Sequence, residues 1–162
     1  MSGSTSTGTV AHTFLSQWTT LGVGGPAESF VQVADVASLV DAVQAADRSG
    51  RPLLVLGGGS NLVVADAGFP GTVVRVGVKG IRMEPEAESV VACVGAGEDW
   101  CDFVRYCVAE GFSGNECLSG IPGLAGATPV QNVGAYGQEV SETIVAVSAW
   151  DRQARALVTL AQ

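Results

Sequence analysis

Residues 120–137 contain no charged side chain and few bulky ones, and they form the larger, C-terminal part of a stretch from Phe112 to Gly137 in which neither helical nor strand periodicity can be found. A connection of about 25 residues without periodicity is uncommon inside a compact domain unless it is functional. Surface loops are ordinarily more polar than this one. The rest of the chain must therefore supply regular elements that frame a long loop of small residues, whose backbone other groups can approach closely.

That frame is legible on either side. Ala27 to Val33 alternates like a strand after the turn-rich run from Thr19 to Pro26. Val36, Leu39, Val40, Val43 and Ala46 then fall on one helix face, with Asp35 placed to cap it and Gly50 to stop it. Pro52 to Leu56 predicts a short apolar strand ending at Gly57-Gly58-Gly59, and Leu62 to Ala65 resumes extended character, so the glycines should join two short strands. Further strands are expected at Thr72 to Val76 and Ser89 to Val94. Asp99 should cap a second helix with Trp100, Phe103, Val104, Cys107 and Val108 inward and Gly111 at its end. Ile144 to Trp150 and Ala156 to Leu160 predict a hairpin around Asp151-Arg152.

Composition narrows the chemistry. The 162 residues suit one domain with a substantial core, and 47% hydrophobic with 15% charged residues excludes broad disorder. Eight Lys and Arg against sixteen Asp and Glu, with no basic cluster, argue against a nucleic-acid partner. Glycine, 22 of 162, is the outlier, at about twice average usage. Cys93, Cys101, Cys107 and Cys117 lack the close pairs of a zinc site and read as reduced thiols of a cytosolic protein. No apolar run has the length of a membrane span. The first ten residues lack the features of an export signal, and residues 1–18 are expected to form a flexible leader and entry segment, with His12 solvent-exposed in it.

Two segments can carry binding. Gly57-Gly58-Gly59-Ser60-Asn61 follows an apolar strand, and successive glycines can turn several N–H groups toward one anion while Ser60 and Asn61 add side-chain donors. It is neither a Walker loop nor a Rossmann fingerprint, and read alone it is most simply a tight turn. The second segment, residues 120–137, is either an internally packed Ω-loop or a binding loop for a planar cofactor, with Gln131 and Asn132 offering amides at its centre. Tyr136 either belongs to a ligand-facing surface or is a buried packing tyrosine. Glu84, Glu86 and Glu88 read as one solvated edge or turn, and Glu98, Asp99 and Asp102 as carboxylates complementing a helix N-terminus.

Taken in order, Thr19-Thr20-Leu21 with Gly24-Gly25-Pro26-Ala27, Leu56-Gly57-Gly58-Gly59-Ser60-Asn61-Leu62, Gly95-Ala96-Gly97, and Gly120-Ile121-Pro122-Gly123 through Gly126-Ala127-Thr128-Pro129-Val130-Gln131-Asn132-Val133-Gly134-Ala135-Tyr136-Gly137 resemble the UDP-N-acetylenolpyruvoylglucosamine reductases, also called UDP-N-acetylmuramate dehydrogenases. The last motif is long and the most specific. The resemblance implies an α+β FAD-binding fold of the vanillyl-alcohol oxidase type, with two small lobes, about 19–80 and 81–162, and FAD between them. It implies that Gly57, Gly58, Gly59, Ser60 and Asn61 cradle the pyrophosphate. Gly123, Gly126, Ala127, Thr128, Gln131, Asn132, Gly134, Ala135 and Tyr136 would line the pyrophosphate and isoalloxazine.

The same resemblance implies a cytoplasmic NADPH-dependent oxidoreductase of peptidoglycan precursor synthesis, acting on a nucleotide sugar and serving cell shape and division. The family's Tyr-Arg pair, serine proton donor and glutamate are expected beyond Gln162, in a substrate-binding domain this chain lacks, so no catalytic residue is assigned and activity of the chain alone is not expected. Two alternatives stay open: a non-catalytic remnant or assembly module that self-associates through exposed apolar loops, and another FAD-dependent oxidoreductase of the same superfold. No metal site is expected.

Overall fold

The computed structural model describes Thr9, Val10 and residues 12–161, which fall into two compact units meeting between Val78 and Lys79. The first unit is a sheet carrying one helix. Thr9–Val10 (β1) and Thr13–Phe14 (β2) both pair antiparallel with Pro26–Val33 (β3). Val36–Ser49 (α1) follows, then Leu53–Leu56 (β4) and Phe69–Val76 (β5), giving the order β1-β3-β5-β4 with β2 also on β3. β3, β5 and β4 run parallel.

The period of two in β3 and β5 sorts their side chains onto two faces. Val31, Val33 and Val74 pack under Leu39 and Ala42 of α1, while Phe30, Val73 and Leu56 form the opposite face with Leu15, Trp18, Leu62 and Val64. α1 begins where predicted: Asp35 accepts the Ser38 N–H at 2.7 Å and Ser38 returns a contact to the Asp35 N–H, and Gly50 ends it in the left-handed region.

Two expectations fail in this unit. Residues 1–18 are not flexible throughout, since β1 and β2 lie on the sheet and Leu15 is fully buried. Residues 1–8 and Ala11 lie outside the described residues. Leu62 to Ala65 forms no strand. A tight turn cannot join parallel neighbours, so the chain leaving β4 must travel back along the sheet to reach the start of β5. Leu62 and Val64 spend their side chains covering the sheet face on the way.

The second unit opens with the hairpin Ile81–Pro85 (β6) and Val90–Val94 (β7), placing exposed Glu84 on a strand beside Arg82 and a turn at residues 86–89. Trp100–Ala109 (α2) follows, capped by Asp99, which accepts the Asp102 N–H at 3.0 Å. Trp100, Phe103, Val104 and Cys107 form the core with Leu118, Val133 and Val140. Val108, expected inside, is 53% exposed. It lies roughly 80° around the helix from Trp100, at the edge of the buried stripe.

The long stretch beyond α2 is not structureless. It holds short 3₁₀ turns at Glu116–Leu118, Ala125–Val130 and Val140–Glu142, and a two-stranded ribbon of Gly134–Ala135 (β8) and Gln138–Glu139 (β9). Ala146–Asp151 (β10) and Ala156–Ala161 (β11) form the predicted hairpin.

Candidate functional site

In the first unit, residues 57–61 leave the carboxyl end of β4, the end at which parallel α/β sheets commonly bind ligands. The loop is clamped from one side. Thr20 N–H donates to Gly59 O at 3.0 Å, and a Cβ on Gly59 would stand 1.9 Å from Trp18 O, while its φ of +69° already favours glycine. Thr19, buried, donates its hydroxyl to Val23 O and fixes the turn that carries the clamp. The Thr19-Thr20 motif thus acts by shaping the glycine loop. Ser60 and Asn61 lie in the turn that leaves it.

One residue here was not predicted. Arg75 pairs in register with Leu56, the residue before Gly57, and its guanidinium lies 5.7 Å over the Trp18 ring while Nη1 donates to Val76 O. Its signal was an arginine interrupting the valines of β5 on a face otherwise apolar.

In the second unit, residues 123–126 dock antiparallel on the turn before α2. Trp100 N–H donates to Gly123 O at 3.1 Å, Ala125 N–H to Glu98 O at 2.9 Å and Gly126 N–H to Ala96 O at 3.0 Å, around the Asp99 and Leu124 bridge. A Cβ on Gly126 would stand 2.5 Å from that of Ala96. Gly95-Ala96-Gly97 is the platform for this loop. Glu98 ties the platform down: its carboxylate accepts the Gly80 N–H at 2.6 Å and meets Lys79 Nζ at 3.2 Å, and the Gly80 bond foremost, then Lys79, holds it below the usual glutamate range.

Several expected site residues spend their polar groups inside the loop. Thr128 is buried and donates its hydroxyl to Ala125 O at 2.9 Å. Asn132, with φ +47°, accepts the Ser141 N–H at 3.1 Å and donates to Glu139 Oε2 at 2.6 Å. The loop is therefore internally packed and still presents a surface: Ile121, Gln131, Asn132, Gly134, Ala135 and Glu139 line a cleft of about 780 Å³ in this unit. Ala127 lies within the 3₁₀ turn. Tyr136 and Gly137, both at positive φ, turn β8 into β9 and leave Tyr136 93% exposed, which overturns the reading of a buried packing tyrosine.

Among the described residues no group of three or more His, Cys, Asp or Glu could hold a metal ion, the four cysteines are unpaired, and no helix is long and apolar enough to cross a membrane. His12 is exposed, at positive φ.

Residues 27–159 match the family described as FAD binding domain. The chain is 56% identical over 141 residues to the UDP-N-acetylenolpyruvoylglucosamine reductase of Thermobifida fusca, covering 86% of this chain and 40% of that protein. It is 56% identical over 140 residues to the reductase of the same name from Saccharopolyspora erythraea, covering 86% and 38%. Among solved structures, the UDP-N-acetylenolpyruvylglucosamine reductase of Thermus caldophilus aligns with a TM-score of 0.74 at 31% identity, over 96% of this chain and 52% of that one. The chain thus spans about two-fifths of the length of the curated relatives it matches.

Proposed function

This chain belongs to the FAD binding domain family, among the UDP-N-acetylenolpyruvoylglucosamine reductases, and we propose that it is the part of such a reductase that holds FAD. Its α+β fold is the FAD-binding fold of the vanillyl-alcohol oxidase type. The observation that carries the proposal is the glycine loop: residues 57–61 sit at the carboxyl end of a parallel strand, held in a shape that only glycine at position 59 permits.

The residues fit the group. Backbone N–H groups of Gly57, Gly58 and Gly59 suit a pyrophosphate, with Ser60 and Asn61 beside them. The indole N–H of Trp18, whose main chain clamps that loop, is buried without a hydrogen-bond partner. In the second unit Gly123 and Gly126 set the loop's path, Thr128 and Asn132 stiffen it, and Ala127, Gln131, Gly134, Ala135 and Tyr136 give it a surface of small and planar groups for the pyrophosphate and the isoalloxazine.

FAD, when bound, supplies hydride transfer from NADPH to the enolpyruvyl double bond of UDP-N-acetylglucosamine enolpyruvate, giving UDP-N-acetylmuramate. This chain's own residues bind and orient the cofactor, and the whole reaction is that of the full-length reductases, in the cytoplasmic synthesis of peptidoglycan precursors that supports cell shape and division. The test is retention. Purified protein incubated with FAD or with riboflavin and then passed through a desalting column should carry FAD and release riboflavin. A folded protein that carries neither contradicts the proposal.

A further inference from the structure

Arg75 occupies a position that folding alone does not explain. It lies on the face of β5 shared by Val73, beside the apolar cluster of Phe30, Leu56 and Trp18, and is half-buried. None of the ion pairs among the described residues includes it. Its contacts are the Trp18 ring and its neighbour's carbonyl, which engage one nitrogen and one face of a guanidinium that has five N–H donors. Arginine half-buried beside apolar side chains without a carboxylate is costly unless something anionic completes it.

The position indicates what that is. β4 and β5 are parallel, and Arg75 pairs with Leu56, so it stands one strand away, about 4.8 Å in backbone spacing, at the point where the chain turns into Gly57. The same Trp18 that supports the guanidinium clamps the glycine loop through its carbonyl neighbourhood at Gly59. A fixed cation and a glycine loop at the carboxyl ends of adjacent parallel strands together make a site for a polyphosphate, since arginine's fork matches phosphate oxygens and stacking on an indole leaves its edge available.

We propose that Arg75, seated on Trp18, is an anion-binding residue that supplies the positive charge for the FAD pyrophosphate at residues 57–61. The inference rests on the FAD-binding reading above and adds a charged side chain to a site otherwise built from backbone. It also accounts for how an acidic chain with a net charge of −8 attracts a dianionic ligand.

FAD affinity is to be measured by flavin fluorescence for the wild type, Arg75→Gln and Arg75→Lys at low and high salt, with thermal unfolding of each. Arg75→Gln should bind FAD about tenfold more weakly or worse at low salt, with a flatter salt dependence, and Arg75→Lys should recover part of the loss. If Arg75→Gln does not fold, Arg75→Met, which keeps the aliphatic stem on Trp18, takes its place. Wild-type binding with Arg75→Gln within twofold of it, or Arg75→Lys as weak as Arg75→Gln, overturns the role of Arg75 alone. A folded wild type that binds no FAD overturns the FAD-binding reading and this one with it.

Discussion

Gly59 and Gly137 share a left-handed backbone, with φ of +69° and +82°, and differ in what surrounds them. A Cβ at Gly137 would meet nothing within 4 Å, whereas at Gly59 it would strike Trp18 O at 1.9 Å. Gly137→Ala should therefore cost only the conformational penalty, about 1–2 kcal/mol. Gly59→Ala should cost clearly more, because two main-chain segments must separate, and it should weaken FAD uptake as well. Denaturant unfolding of both variants checks the difference; equal losses would mean that the clamp on the glycine loop does not matter. The triple glycine was legible in the sequence because it interrupts an apolar run. The clamp was not, since Trp18 and Thr20 are some forty residues away and only the sheet brings them to Gly59. Arg75 was missed for a related reason: a single arginine in a strand reads as solvent-facing until its face is known.

At the scale of elements, both helices were readable down to their caps, because Asp35 and Asp99 act on their own first turns and need no tertiary information. The strand expected at Leu62 to Ala65 failed because its apolar side chains serve burial without pairing, which local pattern cannot distinguish. The turn at residues 95–98 joins two roles that sequence kept apart. Its backbone carries residues 125 and 126, while the Glu98 carboxylate holds Lys79 and Gly80. The Glu98 pKa is lowered on folding, first by the Gly80 N–H and then by Lys79, so the folded state binds its proton less readily than the unfolded one. Its contribution to stability is present above the ordinary glutamate range and is lost as pH falls through the lowered value. Unfolding midpoints measured from pH 6 down to about pH 3 should fall less steeply for Glu98→Gln than for the wild type. Parallel curves would show that this carboxylate contributes nothing to acid sensitivity.

At the scale of the molecule, the glycine surplus resolves into loop structure distributed over two compact units, residues up to Val78 and from Lys79 onward. Family membership was legible because residues 120–137 form a motif too long to arise from turn chemistry alone. What the loop does internally was hidden, since Thr128 and Asn132 look like ligand-binding side chains until their partners, Ala125, Ser141 and Glu139, are seen. Their polar groups hold the shape of the loop from within. This chain is expected to bind FAD by itself, although it covers about two-fifths of its relatives' length. Titrating the purified 162-residue protein with FAD, followed by flavin fluorescence, tests it most directly. The signal should saturate at one FAD per chain; a folded protein that leaves it unchanged at every concentration would contradict FAD binding by this chain.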